Sequence, residues 1–220
     1  MTVTQVSAQE LFQAAYENRY TWDSDFPGYT ADVTYRRDGE VFTGRVRVNP
    51  DLKAQVFEIA DETATHAIQG QLFEIAIHRV RRSFADTHSK NTFAYGDSDQ
   101  TGATTILMGG KAEGDYYQVR DNEVCLVHRH IHGVVVTIHT FSSHDTGEGY
   151  LSHRYDSVYH DPKTGEQKGG QSVFEDSYEK VGHYQILSER QIQTEESGQT
   201  STQVFQFSSF QLLGSRGAGT

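Results

Sequence analysis

Seven of the eleven histidines, His128, His130, His132, His139, His144, His153 and His160, fall in one short stretch of the chain. On an unbroken strand His128, His130 and His132 would project to one face at intervals of about 6.6–7 Å. Imidazoles in such a row are donors for a divalent metal. Bonds of about 2.0–2.1 Å cannot be closed by neighbours almost 7 Å apart, so a ligand from an adjacent strand is required, and His139 and His153 are the candidates. The competing expectation is that these histidines are amphipathic fillers of a solvated or ligand-facing sheet surface.

Other combinations carry less chemistry. His144-Asp145 and His160-Asp161 have the residue types of an acid/base pair, but both stand beside turn signals, and turn chemistry accounts for the aspartates. Ser142, Ser143, His144 and Asp145 supply triad residue types in sequence, yet consecutive strand residues point to opposite faces. Cys125, between Val124 and Leu126, reads as a small core hydrophobe. His78-Arg-Val-Arg-Arg82 is the one basic concentration in an acidic chain. On a helix, Arg79 and Arg82 share a turn and offer either a charged face paired to carboxylates or a clamp for an anionic headgroup. The ligand-facing set on the binding reading is Arg79, Arg82, Arg129, His139, His153 and Tyr155. Neither Gly109-Gly110 nor Lys168-Gly-Gly170 opens a helix, so no phosphate-cradling loop is expected.

The elements that must position these residues are mostly strands. Ser7-Ala-Gln-Glu10 forms a capping box, and Leu11, Phe12, Ala15 and Tyr16 follow at helical spacing, predicting a short helix over 8–19. Tyr29, Ala31, Val33 and Tyr35 alternate with polar residues, and Asp38-Gly39 turns that strand into a second one through Phe42, Val46 and Val48. After a short strand at 54–59, Ile68, Leu72, Ile75, Val80 and Phe84 recur at helical spacing and predict one helix from Asp61 to Asp86, about 37 Å long. Gly70 within it costs about 1 kcal/mol against Ala and suggests a close packing contact or a kink. From residue 92 onward, strands are expected at 92–96, 103–109, 115–120, 123–131, 134–143, 150–160, 171–179, 183–194 and 202–213. Connections this short imply antiparallel pairing.

A dozen antiparallel strands cannot lie flat, because the twist accumulates and curls the sheet. The expected fold is therefore mainly β, or α+β: a large curved antiparallel sheet forming a half-open barrel around one long helix, plus the short N-terminal helix. A two-sheet sandwich with an external helix is the alternative. The chain is expected to form one domain over 1–213 with a disordered tail at 214–220.

The capped helix, Phe26-Pro-Gly-Tyr-Thr-Ala-Asp-Val33 and the hairpin ending Gly44-Arg-Val-Arg-Val48 resemble the start of the lipoprotein-carrier (LolA-like) superfamily. That resemblance implies a sheet curved around a helical plug to hold acyl chains. Over nearly the whole chain, Leu72–Ser83, Asn122–His139 and Thr140–Ser172 resemble an uncharacterised cyanobacterial and plastid family, which implies a phototroph and brings no assigned activity.

Composition limits the function. The 220 residues carry 19 basic and 30 acidic side chains, a net charge of −11, which disfavours a nucleic-acid groove. Mean hydropathy is −0.63, and no apolar run approaches a membrane span. A start without a basic or apolar leader predicts a cytosolic protein, or a stromal one in a plastid. With 12 Tyr and 12 Phe, the leading expectation is a non-enzymatic carrier for an apolar small molecule: a lipid, quinone, carotenoid or tetrapyrrole. A metal-dependent enzyme built on the histidines and an assembly factor with a protein partner are the alternatives.

Overall fold

The structure is a computed structural model that describes residues 6–214. The chain runs α1 (Ala8–Glu17), β1 (Tyr29–Arg37), β2 (Glu40–Val48), β3 (Ala54–Phe57), α2 (Glu62–Arg79) and α3 (Phe84–His88). The strands β4 (Asn91–Ser98), β5 (Thr104–Gly110), β6 (Tyr116–Arg120), β7 (Glu123–Ile131), β8 (Val134–Asp145) and β9 (Tyr150–His160) follow. Then come β10 (Gln167–Val181), β11 (Tyr184–Glu196) and β12 (Gln199–Leu212). All twelve strands join one sheet in the order β3-β2-β1-β12-β11-β10-β9-β8-β7-β6-β5-β4. The expected mainly β class, with one large antiparallel sheet and a short N-terminal helix, is the one observed. The sheet is open, because β3 and β4 end it without pairing to each other. Much of the expected tail, residues 215–220, lies outside the described residues.

Local sequence sets the turns. Asp38-Gly39 and His132-Gly133 each place two consecutive residues at positive φ, 51° and 83° in the first pair and 48° and 81° in the second. Two-residue hairpin turns require that conformation to match strand twist, and glycine adopts it without steric cost.

The chain divides into two compact units. The first takes residues up to Tyr20, then Arg82–Val173 and Thr194–Gln199. Its α1 carries the expected capping box, with the Ser7 hydroxyl accepting from the Glu10 N–H and the Glu10 carboxylate accepting from the Ser7 N–H. Phe12 is buried at the centre of an aromatic core, its ring centroid 4.6 Å from Tyr117, 5.7 Å from Phe93 and 6.0 Å from Phe84. Ala8, Ala15, Ile106, Met108 and Val119 complete that cluster.

The second unit takes Thr21–Arg81, Phe174–Gln193 and the chain from Thr200. Here α2 buries Ala64, Ile68, Leu72, Ile75 and Ala76 along one stripe. It reaches β11 through Gln71, whose Oε1 accepts from Arg190 Nη1 at 2.8 Å, and β10 through Arg79, whose Nη2 donates to the Tyr178 hydroxyl at 3.2 Å.

The single helix expected over 61–86 is two helices. α2 ends at Arg79, Val80 is extended at φ −65° and ψ 124°, and the Trp22 N–H donates to the Arg79 carbonyl at 2.7 Å. Ser83 then caps α3, its hydroxyl accepting from the Asp86 N–H. A serine that bonds backbone N–H groups is worth more as a cap than inside a helix, and the bridge from Trp22 to Val80 draws the chain out between the two helices. Phe84 therefore belongs to the core around Phe12 and not to the α2 stripe. Gly70 does not mark a close contact: it lies on the exposed side of α2, with nothing within 4 Å of where a Cβ would stand.

Candidate functional site

Within the first unit, β6, β7, β8 and β9 are consecutive antiparallel neighbours. Tyr117, Val119 and Val127 pack toward the core around Phe12. The alternation of a strand therefore puts Tyr116, His128 and His130 on the opposite sheet face, and register adds Thr137, His139 and Asp156 to it.

Two pairs on this face share one construction. Asp115 is buried, and its Oδ1 accepts both the backbone N–H of His130 at 2.8 Å and its ring Nδ1 at 2.9 Å. Asp156, also buried, accepts the His139 N–H at 3.1 Å and its Nδ1 at 2.9 Å through Oδ1, while Oδ2 takes Gln171 Nε2 at 2.7 Å. The imidazoles are half-exposed, 48% for His130 and 45% for His139. A carboxylate only accepts, so the neutral ring must carry its proton on Nδ1 and turn the Nε2 lone pair away.

His128 lies beside the first pair. Its Nδ1 is 2.9 Å from the Thr137 hydroxyl, its ring stacks on Tyr116 at 4.4 Å, and its centroid is 6.1 Å from that of His130. Burial and the nearby His130 and His160 hold its pKa below the ordinary imidazole value, against the pull of Asp115.

The row of three histidines on one strand is not formed. β7 ends at Ile131, and His132 occupies the hairpin turn at φ 48° with Gly133 after it, because Ile131 pairs with Val134 and leaves only two residues to close the hairpin. Among the described residues no group of three His, Cys, Asp or Glu side chains is placed to hold a metal ion. His139 is bonded to Asp156, and His153 lies against His144 with ring centroids 4.4 Å apart and the rings tilted by 50°.

The residues of the binding set fall in both units. Arg79, in the second unit, is buried with its guanidinium 5.5 Å from the Tyr178 ring centroid. Arg82, Arg129, His139, His153 and Tyr155 belong to the first unit. Because α2 stops at Arg79, Arg82 does not share a helical turn with it. Arg129 Nε is 3.9 Å from Asp115 Oδ2, and Tyr155 sits on β9 opposite Thr140.

The aspartates of the sequence-adjacent pairs stand at strand ends and bond the turns beside them, as expected. Asp145 accepts from the Gly147 N–H. Asp161 is bonded first by the Lys168 ammonium and then by the N–H groups of Lys163 and Thr164, which pull its pKa to about 2. Cys125 is half-buried, its thiol bonded to the Gln118 carbonyl and its pKa raised by burial.

Sequence reading missed a buried charged group in the second unit. Arg190 donates to Asp176 through Nε at 2.8 Å and Nη2 at 2.6 Å, and both side chains are only 2% exposed. The signal was present: Arg190 is in phase with Tyr184, Ile186 and Ile192, all of them buried.

Residues 3–213 match DUF3386, a family of proteins of unknown function, and the chain belongs to it. No curated protein and no solved structure matches the chain. No helix among the described residues is long and apolar enough to cross a membrane.

Proposed function

We propose that this DUF3386 member is a non-enzymatic binding protein for an apolar ligand of the lipid, quinone, carotenoid or tetrapyrrole class, held on the outer face of α2. One observation carries the reading: α2 leaves two large apolar side chains exposed on its outer side. Opposite the stripe that packs inward, Phe73 is 60% exposed and Ile77, one turn on, is 37% exposed. Gly70 precedes them on the same face with open space around it, which gives a ligand close access to the backbone. A helix that merely covered a sheet would be polar there. Phe57 also stands exposed, on β3, the strand beside which α2 packs. Covering what remains exposed of Phe73 and Ile77 contributes at most about 3 kcal/mol together, and the ligand's own apolar area must supply the rest. The likeness of the N-terminal segments to lipoprotein carriers, and of the longer segments to a phototroph family, points to the same ligand classes.

Purified protein is expected to bind a fluorescent fatty acid or retinoid saturably. A Phe73→Ser variant should bind at least about ten-fold more weakly, the equivalent of 1.4 kcal/mol. Its urea midpoint should be unchanged, because the lost side chain is mostly in water. Absence of saturable binding across acyl, isoprenoid and tetrapyrrole probes would sink this reading, and a protein co-purifying in native mass spectrometry would then favour the assembly factor.

A further inference from the structure

Between α1 and α3, in the first unit, lies a cleft of about 370 Å³. Gln9, Gln13 and Glu17 line it from α1, where a spacing of four puts them on one helix face. Phe84 and His88 line it from α3, and Phe93 from β4. His88 is the group there that folding leaves incompletely bonded. Its ring is 7% exposed and stands edge-on to Phe12 and Tyr16, 5.2 Å from each centroid, so packing fixes its plane. Asn91 Nδ2 lies 3.0 Å from its Nδ1, and an amide nitrogen only donates, so Nδ1 accepts and the neutral ring keeps its proton on Nε2. Burial holds the pKa at about 4, and the ring is therefore neutral at neutral pH. Among the described residues Nε2 has no hydrogen-bond partner, yet no buried side-chain nitrogen or oxygen is left without one. Nε2 is thus not sealed in the core, and it opens on the cleft that His88 lines. A donor so nearly buried gains most from an acceptor that reaches it from that side.

We propose that this cleft binds a small uncharged ring compound carrying an amide or lactam group, whose carbonyl accepts from His88 Nε2–H and whose N–H donates to Gln13. Gln13 Nε2 donates to Glu17 Oε1 at 2.8 Å, which leaves the Gln13 carbonyl oxygen as its acceptor for a ligand. Phe84 and Phe93, with ring centroids 5.6 Å apart and planes at 30°, supply the apolar surface for the ring. Charge selects against ions. No lysine or arginine lines the cleft and Glu17 does, so an entering carboxylate has nothing to offset its desolvation. An ammonium would bring donors to His88 Nε2–H, where an acceptor is needed. The volume is near the lower end for small-molecule sites, which suits one or two rings better than a long chain. The site is therefore separate in place and chemistry from the apolar face of α2, which belongs to the second unit.

Benzamide serves as the probe. Added to the isotope-labelled full chain and followed by imidazole nitrogen NMR, it should move the His88 Nε2 signal saturably at about millimolar concentration. Its ring protons should show cross-relaxation with Phe93. Benzoate and benzylamine should bind at least about ten-fold more weakly. His88→Phe keeps a ring in the core around Phe12 and removes the donor, so it should weaken benzamide binding at least about ten-fold. The His88 signal of the unaltered protein reads the same contact should that variant not fold. Phe73→Ser should leave benzamide binding unchanged, so failure at α2 and failure at this cleft are separate results. A His88 signal that does not respond, benzoate or benzylamine binding as tightly as benzamide, or full affinity in a folded His88→Phe protein would overturn the assignment.

Discussion

Beneath α1, Phe12 is packed among Tyr117, Phe93 and Phe84, and the helix turns its polar residues outward. Beneath α2, the largest fully buried side chain is Arg190, held by Asp176 and by Gln71 of the helix itself, while Phe73 and Ile77 face out. Both helices bury an apolar stripe, but α2 also packs over a buried charge and leaves large apolar side chains outside. The α1 arrangement is what burial alone selects, since apolar contact is non-directional and improves with area. The α2 arrangement is held by directed bonds: the Arg190 fork fits the Asp176 carboxylate in two places, and Gln71 takes a third donor. Buried ion pairs add little net stability compared with apolar packing, but they penalise every other placement of the partners. The difference teaches that apolar burial packs both helices, and that α2 is in addition tied in register by directed bonds to a buried charge.

The comparison is tested most severely at Arg190. Arg190→Ala should cost about 3–5 kcal/mol in urea unfolding, because Asp176 would remain buried without its cation. The double change Arg190→Met with Asp176→Leu should recover most of that loss, since the penalty comes from the orphaned charge and not from missing area. If the single and double variants were equally unstable, directed bonding would not be what distinguishes α2 from α1.

A second test lies in the core under α1, where one polar group is buried. His88 packs edge-on to Phe12 at 5.2 Å, and Asn91 Nδ2 is 3.0 Å from its Nδ1. Burial, with lesser contributions from Arg129 and Arg19, lowers its pKa from 6.5 to about 4. The unfolded chain then binds a proton that the folded chain refuses, so this contribution is complete above about pH 6.5 and is lost as pH falls toward about 4. The loss should reach about 3 kcal/mol. His88→Gln should flatten the stability profile within that window, whatever its effect at neutral pH. An unchanged slope would mean that His88 is protonated in the folded state and that the α1 core is not the dry environment described above.

What could be read from sequence follows how local each cause is. The Ser7–Glu10 capping box and the Asp38-Gly39 turn are decided within a few residues, and both form as expected. The break at Val80 was hidden because Val80 and Phe84 continue the helical spacing, although Ser83 followed three residues later by Asp86 was a readable cap signal. Pairs set by register were harder. His139 stands opposite Asp156 because Asp145 stands opposite Tyr150 at the end of the same hairpin. Counting back from that turn finds the partner, whereas looking for adjacent His-Asp residues found only turn aspartates. The expected metal row failed for the same reason: Ile131 pairs with Val134, so His132 lies in the turn.

The smallest expected effect on stability is the most specific to the contrast between the helices. Gly70 has a helical backbone, no neighbour within 4 Å of its would-be Cβ, and a place on the exposed side of α2. Nothing about folding requires glycine there, and Gly70→Ala should stabilise the protein by up to about 1 kcal/mol by reducing the freedom of the unfolded chain. If α2 were only a cover, as α1 is, that gain would come with no other change. On the reading that its outer face receives an apolar molecule, the added methyl stands beside Phe73 and Ile77 where close approach is needed. A higher urea midpoint should then accompany weaker probe binding. Equal probe affinity with raised stability would make Gly70 a tolerated helix defect and leave Phe73 and Ile77 to account for the surface on their own.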